Sequence, residues 1–549
     1  MAESENLNQE EKHEASGIAA FLKRIFGHIS YRYHIGPRLK IHINSLMIVF
    51  PAFAQYLFFD ELEYLVAFVL CAAFLSSLFL LAKARLLLTL PFVFMSFIYT
   101  LFLVIYSKSL GVTSIMALFN TKLEAMVGFA TSPKMITGTM AFIIVLLLYV
   151  RFIILKGAGE GKEELVPKNK RYIPLLFLIA VPVFFILEMS YFKKAYPFSF
   201  MYDSGSYMKI LSEMKKSSSA PYFFEGRLDS RFKDNTGIFI LVLGESSRRA
   251  SWSLYGYKRK TNVFMKSFLD KYPDNIFLFK NYITTGQTTY PSMMSLFSVM
   301  PSKDFAEIPK YPSFVRIMKN VAYKTYFLST YDNIFLNYIY ADENIITPSD
   351  DDVSLLPTMK KVISEETHSH KKLIVMHLKG SHFAFSDYNY TYKDYIFPSD
   401  NPIMDKYDNS LVHTDILLKE IADEIMKNPE PICVWYMSDH GENLNDFGDG
   451  NYGHGCGGFT CYELEIPSVM IYNNAYLEKY PKIRTVFNNR NFTVSHSNVS
   501  HTIMGLCGLY PREYKKNFDL SSDNYRYEEP YVIDVDLFPI KYSKAKIQD

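Results

Sequence analysis

The sequence predicts an α/β protein in two parts: five membrane-spanning helices, then an exported domain built on a mostly parallel sheet. Three observations carry this expectation. Long apolar runs crowd the first two hundred of the 549 residues. From Gly237 onward, short apolar runs alternate with helical patterns, as in a sheet covered on both faces. Two of those runs, Gly237–Leu243 and Ile432–Met437, lead into metal-ligating residues, Glu245 and Asp439-His440.

The elements follow in order. Residues 1–16 are polar and acidic, and no short apolar core with a cleavage site follows them. They read as a solvated tail within a cytoplasmic segment, 1–40, and not as a cleavable signal. The spans are Ile41–Phe59, Tyr64–Ala82, Leu86–Tyr106, Gly138–Leu155 and Tyr172–Tyr191, a transmembrane domain over 41–191. Each is long enough to cross about 30 Å of hydrocarbon. Pro91, Pro174 and Pro182 are tolerated in such helices. Basic residues precede the first span and fill the loops after the second and fourth, whereas Asp60-Glu61-Leu62-Glu63 follows the first. The positive-inside rule then places the N-terminus in the cytoplasm and everything after Tyr191 outside. The external segment 107–137 reads either as an amphipathic surface helix or as a connecting loop. Ionisable residues are few in the spans, with Arg151 and Glu188 near their ends, which favours a membrane-tethered enzyme over a transporter.

Residues 192–235 read as a juxtamembrane helix lying on lipid headgroups, then a linker at Ser217-Ser218-Ser219, and 236–549 as the catalytic domain. Candidate strands are Gly237–Leu243, Lys324–Leu328, Leu373–Leu378, Ile432–Met437 and Pro467–Tyr472, with a helix at Leu411–Met426. Functional residues in such sheets lie at the carboxyl ends of strands. A net charge of +2 gives no electrostatic case for nucleic acid. Of the five cysteines, Cys71 and Cys433 read as buried thiols. Cys456 and Cys461 flank a Gly-rich loop and are within reach of a disulfide in an oxidising compartment.

Zinc takes three or four N, O or S ligands, and Glu245, Asp439 and His440 supply three. The hydroxyl-rich segment Thr284 to Ser292 precedes a helical pattern and leaves two readings open from spacing alone. It supplies a nucleophile beside backbone N–H groups that favour phosphate, or it is a Thr-rich helix cap. His377 reads as a buried histidine, and His413, His496 and His501 as structural. Glu442 reads as a support for His440 or a cap of the next turn, and Asp350-Asp351-Asp352 as a solvated loop. Arg248 and Arg249 read as phosphate contacts or as solvated helix residues.

Several motifs occur in a fixed order. Gly244-Glu245-Ser246 is followed by Arg248, Ser253-Leu254-Tyr255-Gly256-Tyr257 and Thr261-Asn262. The Thr/Gly segment before a Met-rich helix comes next, then Tyr407-Asp408-Asn409, Ser438-Asp439-His440-Gly441-Glu442 and Tyr452-Gly453-His454-Gly455. This order resembles the phosphoethanolamine transferases of Gram-negative envelopes, within the alkaline phosphatase and sulfatase superfamily. The resemblance covers the whole architecture and implies a periplasmic alkaline-phosphatase-like α/β/α domain on an inner-membrane anchor. It implies Zn2+ held by Glu245, Thr289, Asp439 and His440, with a second ion an open question. Thr289 is implied as the nucleophile that carries phosphoethanolamine, with Thr288 as the fallback. His382 and His454 are implied at the substrate phosphate or a second zinc, with Arg248 and Thr288 on the substrate side. The implied donor is phosphatidylethanolamine, and the implied acceptor is a glycolipid or glycan: lipopolysaccharide core, lipid A or periplasmic glucan.

Two departures matter. The lipid A-modifying members carry Ser-Cys-Gly-Thr and Pro-Cys-Met around the nucleophile, where this chain has Thr284-Thr285-Gly286-Gln287 and Ser292-Met293-Met294. That places it with the low-cysteine branch. Thr289-Tyr290-Pro291-Ser292 echoes the sulfatase Cys-x-Pro-Ser-Arg, but Thr289 cannot become formylglycine and Met293 replaces the Arg. Sulfatase activity is therefore not expected. The rival readings are a phosphoglycerol transferase of the same superfamily and a non-catalytic sensor or scaffold that keeps the fold.

Overall fold

The computed structural model describes residues 37–82, 89–106, 111–120, 140, 144, 170–188, 194–230, 237–331, 335–349, 351–366, 371–382, 385, 397, 402–448, 452–455 and 458–548. The tail 1–16, all but two positions of the expected fourth span, Asp350 and Cys456 lie outside these. The chain divides into two units, residues 1–101 with 137–197, and 102–136 with 198–549.

In the first unit, helices α1 (Pro37–Phe59) and α2 (Leu62–Ala82) pack together, joined by a tight turn in which Asp60 adopts a left-handed φ of 52°. Both contain 19-residue stretches long and apolar enough to cross a membrane. Helix α3 (Leu90–Tyr106) and a later helix over Tyr172–Leu187 are apolar but shorter, so two of the five expected spans reach full length among the described residues. Polar pins fix helix pairing where apolar side chains alone are interchangeable. Thr89 donates to Asn44 at 2.9 Å, and the Gln55 amide donates to the Tyr99 hydroxyl at 3.0 Å.

The second unit holds the sheet. Its strands are β1 (Ile238–Gly244), β2 (Ile276–Leu278), β3 (Lys324–Ser329), β4 (Glu343–Ile346), β5 (Lys372–His377), β6 (Ile432–Ser438) and β7 (Ser468–Tyr472), in the spatial order β2-β7-β6-β1-β5-β3-β4. All five expected strands are present. The run from β6 to β4 is parallel, but β7 is antiparallel to both neighbours, so the sheet is mixed. The apolar runs of β1, β5 and β6 are buried on both faces, as central parallel strands must be. Within β1, Phe239, Leu241 and Leu243 enter one core and Ile238, Ile240 and Val242 the other. The second core is closed by the helix Pro402–Lys427, which contributes Leu411, Leu417, Leu418, Ile421 and Ile425.

Two segments differ from expectation. The helix α4 (Val112–Asn120) does not end as a surface helix or plain loop. Val112, Ile115 and Met116 lie in the first core of this unit, and the Thr113 amide donates to the Val535 carbonyl at 3.1 Å. The expected linker at Ser217-Ser218-Ser219 is the last turn of a 22-residue helix, Phe198–Ser219, whose Tyr207 and Met214 join the same core. The Arg316 guanidinium binds the Ser217 and Ala220 carbonyls at its end, a cation where helix carbonyls lack partners.

Candidate active site

The strand register brings the site together. Leu243 pairs with His377, Gly244 with Ser438, and Ser329 with His377, so the carboxyl ends of β1, β5, β6 and β3 lie side by side. The residues just beyond β1 and β6 are Glu245 and Asp439-His440, all essentially fully buried. Ser246 holds a φ of 57°, rare for a residue with a Cβ. Its amide reaches Asp439 Oδ1 at 3.1 Å and its hydroxyl reaches Glu245 Oε1 at 2.9 Å. The His440 amide also donates to Asp439 Oδ1, at 2.7 Å.

Asp439 Oδ2 has no hydrogen-bond partner among the described residues and faces His440 Nε2 at 3.3 Å. Glu245 Oε1 lies 3.2 Å from the same nitrogen. His440 Nδ1 contacts the Gly441 carbonyl at 2.8 Å, which sets the ring so that Nε2 points at the carboxylates. His454 stacks beside it with ring centroids 4.0 Å apart. Glu245, His440 and His454 each offer a ligand atom, all within 4.8 Å of one another.

The charges point the same way. Burial alone lowers a histidine, but the Asp439 and Glu245 carboxylates raise His440 to about 10. Burial alone raises Glu245, but His440 holds it well below the usual carboxylate range, whereas burial and the Glu245 charge push Asp439 well up. Two carboxylates this close in a buried site favour positive charge between them. Acidic oxygens with imidazole nitrogens, one oxygen unpartnered, fit a Zn2+ ion.

Thr289 opens helix α5, Thr289–Phe297, whose other residues are buried. Its hydroxyl lies 3.3 Å from Glu245 Oε2 and 3.4 Å from His440 Nε2, and the residue is half-buried, so it stands at the mouth of the cluster. Thr288 precedes it in extended conformation and its side chain makes no cap hydrogen bond, so the segment is not a Thr-capped helix start. Thr284 and Ser292 are bonded at 2.9 Å, and Thr284 also binds the Asp439 carbonyl, tying the helix to the end of β6. His382 lies 6.4 Å from His454 between ring centroids. Its loop passes under Glu245 at Gly380, where a Cβ would meet the Glu245 amide nitrogen at 2.6 Å.

Several sequence assignments change. Glu442 accepts from His454 Nδ1 at 2.9 Å, so it holds His454 and not His440. Arg248 is neither solvated nor turned outward. It is buried, donating to Ser251, to the Glu442 carbonyl and to Asp446 at 2.7 Å, and it lies over the Tyr462 ring. Asp352 is no solvated loop residue either. It is buried and accepts from the amides of Lys379 and Gly380 at 2.8 and 2.9 Å and from Thr330 at 3.0 Å. Asp351 pairs with His413 at 2.7 Å. His377 is buried against the Tyr331 hydroxyl at 2.9 Å, and His496 lies between Thr285 and the Ser438 carbonyl. Sequence reasoning missed Glu463, which gathers Gln287, Thr460 and the Gly455 amide, and the support that the Tyr407 hydroxyl gives to the Ser246 carbonyl.

Residues 238–509 match the sulfatase family model. That stretch spans the whole sheet and both buried ligand-bearing strand ends, so the second unit contains a sulfatase-like domain. Several curated relatives carry the name phosphoethanolamine transferase. The Escherichia coli K12 protein EptC is 25% identical over 334 residues, 51% of this chain and 56% of that one. EptA of Helicobacter pylori is 26% identical over 291 residues, 49% and 53%. These alignments span only about half the length of either relative. Among solved structures, the integral membrane protein lipooligosaccharide phosphoethanolamine transferase A of Neisseria meningitidis superposes with a TM-score of 0.65 at 17% identity, over 87% of this chain and 98% of that one. The C-terminal periplasmic domain of E. coli EptC, in complex with Zn, gives 0.53 at 21% identity over 59% and 97%.

Proposed function

We propose that the protein transfers phosphoethanolamine from phosphatidylethanolamine to a glycolipid or glycan of the cell envelope, acting from the outer face of an inner membrane. The observation that carries this reading is the Thr289 hydroxyl, at a helix N-terminus, within 3.4 Å of both Glu245 and His440. Glu245, Asp439, His440 and Thr289 would hold Zn2+, with His454 and His382 beside the phosphate. The ion, when bound, lowers the pKa of a coordinated hydroxyl and offsets charge on phosphoryl oxygens.

The rest is done by the chain. Thr289 Oγ bonds to the donor phosphorus as the bond to diacylglycerol breaks. The amides of the first turn of α5 face the phosphoryl oxygens. His454, oriented by Glu442, or His382 delivers the proton that leaves with diacylglycerol. The acceptor hydroxyl then attacks the phosphothreonine, its proton passes to the same histidine, and Thr289 is restored.

Mass spectrometry of the protein purified from its membrane, beside Thr289→Ala, tests this. A phosphoethanolamine adduct on the Thr289 peptide, absent from the variant, is the expected result. A phosphoglycerol adduct would keep the nucleophile and change the donor. An adduct that survives in Thr289→Ala would overturn the assignment.

A further inference from the structure

We propose that Glu463 is a positioning residue that holds the nucleophile turn and the His454 loop at a fixed spacing, an inference that rests on the transferase reading above. Glu463 sits in the short helix Cys461–Leu464 and is 1% exposed. Its two oxygens serve different segments. Oε2 accepts from the Gln287 side-chain amide at 2.9 Å and from the Thr460 hydroxyl at 3.0 Å. Oε1 accepts from the Gly455 amide at 2.8 Å.

Gln287 lies two residues before Thr289, and Gly455 directly follows His454. One carboxylate therefore joins the segment bearing the nucleophile to the segment bearing the histidine. The second Gln287 contact, to the Gly458 carbonyl at 2.9 Å, closes the same link from the other side. The two segments also touch: Gly455 has a φ of 69°, and a Cβ there would meet Thr288 Cγ2 at 2.3 Å.

The chemistry requires a carboxylate. The Gln287 side chain and the Gly455 amide donate to different oxygens of Glu463, so both oxygens must present acceptors, as those of a carboxylate do. A glutamine would turn an amino group toward one of those donors in a buried site. The spacing between Thr289 and His454 would then loosen, while the carboxylates of Glu245 and Asp439 keep their own supports from Ser246 and the His440 amide. Positional errors of about 1 Å among reacting groups cost up to roughly 100-fold in rate.

The test uses the full-length, zinc-loaded protein in detergent, with phosphatidylethanolamine micelles as donor, comparing wild type with E463Q. Diacylglycerol release, bound zinc, and backbone hydrogen exchange of residues 284–289 and 452–455 are measured on each. E463Q is expected to lower kcat about 10- to 100-fold with KM and zinc content unchanged, and to speed exchange in both segments about tenfold. Wild-type kcat in E463Q, a loss that tracks zinc, or exchange that rises in one segment alone would overturn the proposal. If the wild type releases no diacylglycerol, the transferase reading fails, and the exchange of the two segments still decides the role of Glu463.

Discussion

Asp439 divides its two oxygens between two tasks. Oδ1 takes the amides of Ser246 and His440, while Oδ2 is left facing the cluster. The pattern repeats around the site: Glu442 holds His454, and the Gly441 carbonyl holds His440. Supports of this kind carry rate. Glu442→Gln is expected to cut diacylglycerol release roughly 10- to 100-fold while zinc stays bound, checked by parallel rate and metal assays. A different effect belongs to His501, away from the cluster. Burial lowers it to about 3, so it is neutral in the folded protein and takes up a proton on unfolding at any pH between about 3 and its ordinary value. The unfolded chain binds more protons there, so its contribution is complete above about pH 6.5 and is lost as pH falls toward 3. His501→Phe, compared with wild type by denaturant unfolding from pH 7 to pH 4, should reduce the slope of stability against pH by up to about one proton. The meeting of Glu245, Asp439 and His440 at neighbouring strand ends was legible in the sequence, because each follows a long apolar run that marks where a buried strand stops. Their partners were not. Arg248, Glu442 and Asp352 find their contacts across long sequence separations, and charge alone reads equally well as solvation.

At the scale of elements, loops are set by buried acceptors more than by their own sequence. Asp352 receives the amides of Lys379 and Gly380 and so fixes the turn that leads to His382. Asp352→Ala leaves those buried donors unmet and should cost about 3 kcal/mol, read as a drop in the urea midpoint with unchanged slope. Burial raises the Asp352 carboxyl and the two amides oppose that rise, consistent with a group held for its acceptors. The strands were readable where apolar runs are long: β1, β5 and β6 are six or seven residues and buried throughout. The edge strands β2 and β4, of three and four residues, are too short to carry a period and were missed. The antiparallel setting of β7 was also hidden, because an apolar run does not declare its direction.

At the scale of the molecule, the second unit is not one continuous stretch. Val112, Ile115 and Met116 fill its core from a segment made well before the sheet. A fragment starting at Phe198 should therefore be less stable than the intact protein's second unit by about 5 kcal/mol, since each large apolar side chain contributes about 1.5–3 kcal/mol when buried. Calorimetry of the fragment against the full chain, with dye binding to exposed apolar surface, checks this. Recovery of the melting temperature on adding a peptide of residues 111–121 would identify the missing helix as the cause.

That shared core also has a topological consequence. Segments that share one hydrophobic core must stand on the same side of any bilayer the chain crosses. The chain between residues 120 and 198 must then cross it an even number of times, or not at all. If the crossings expected at Gly138–Leu155 and Tyr172–Tyr191 are made, they come as a pair. Whatever orientation the first three helices take, the return at residue 198 is fixed by where residue 112 was left.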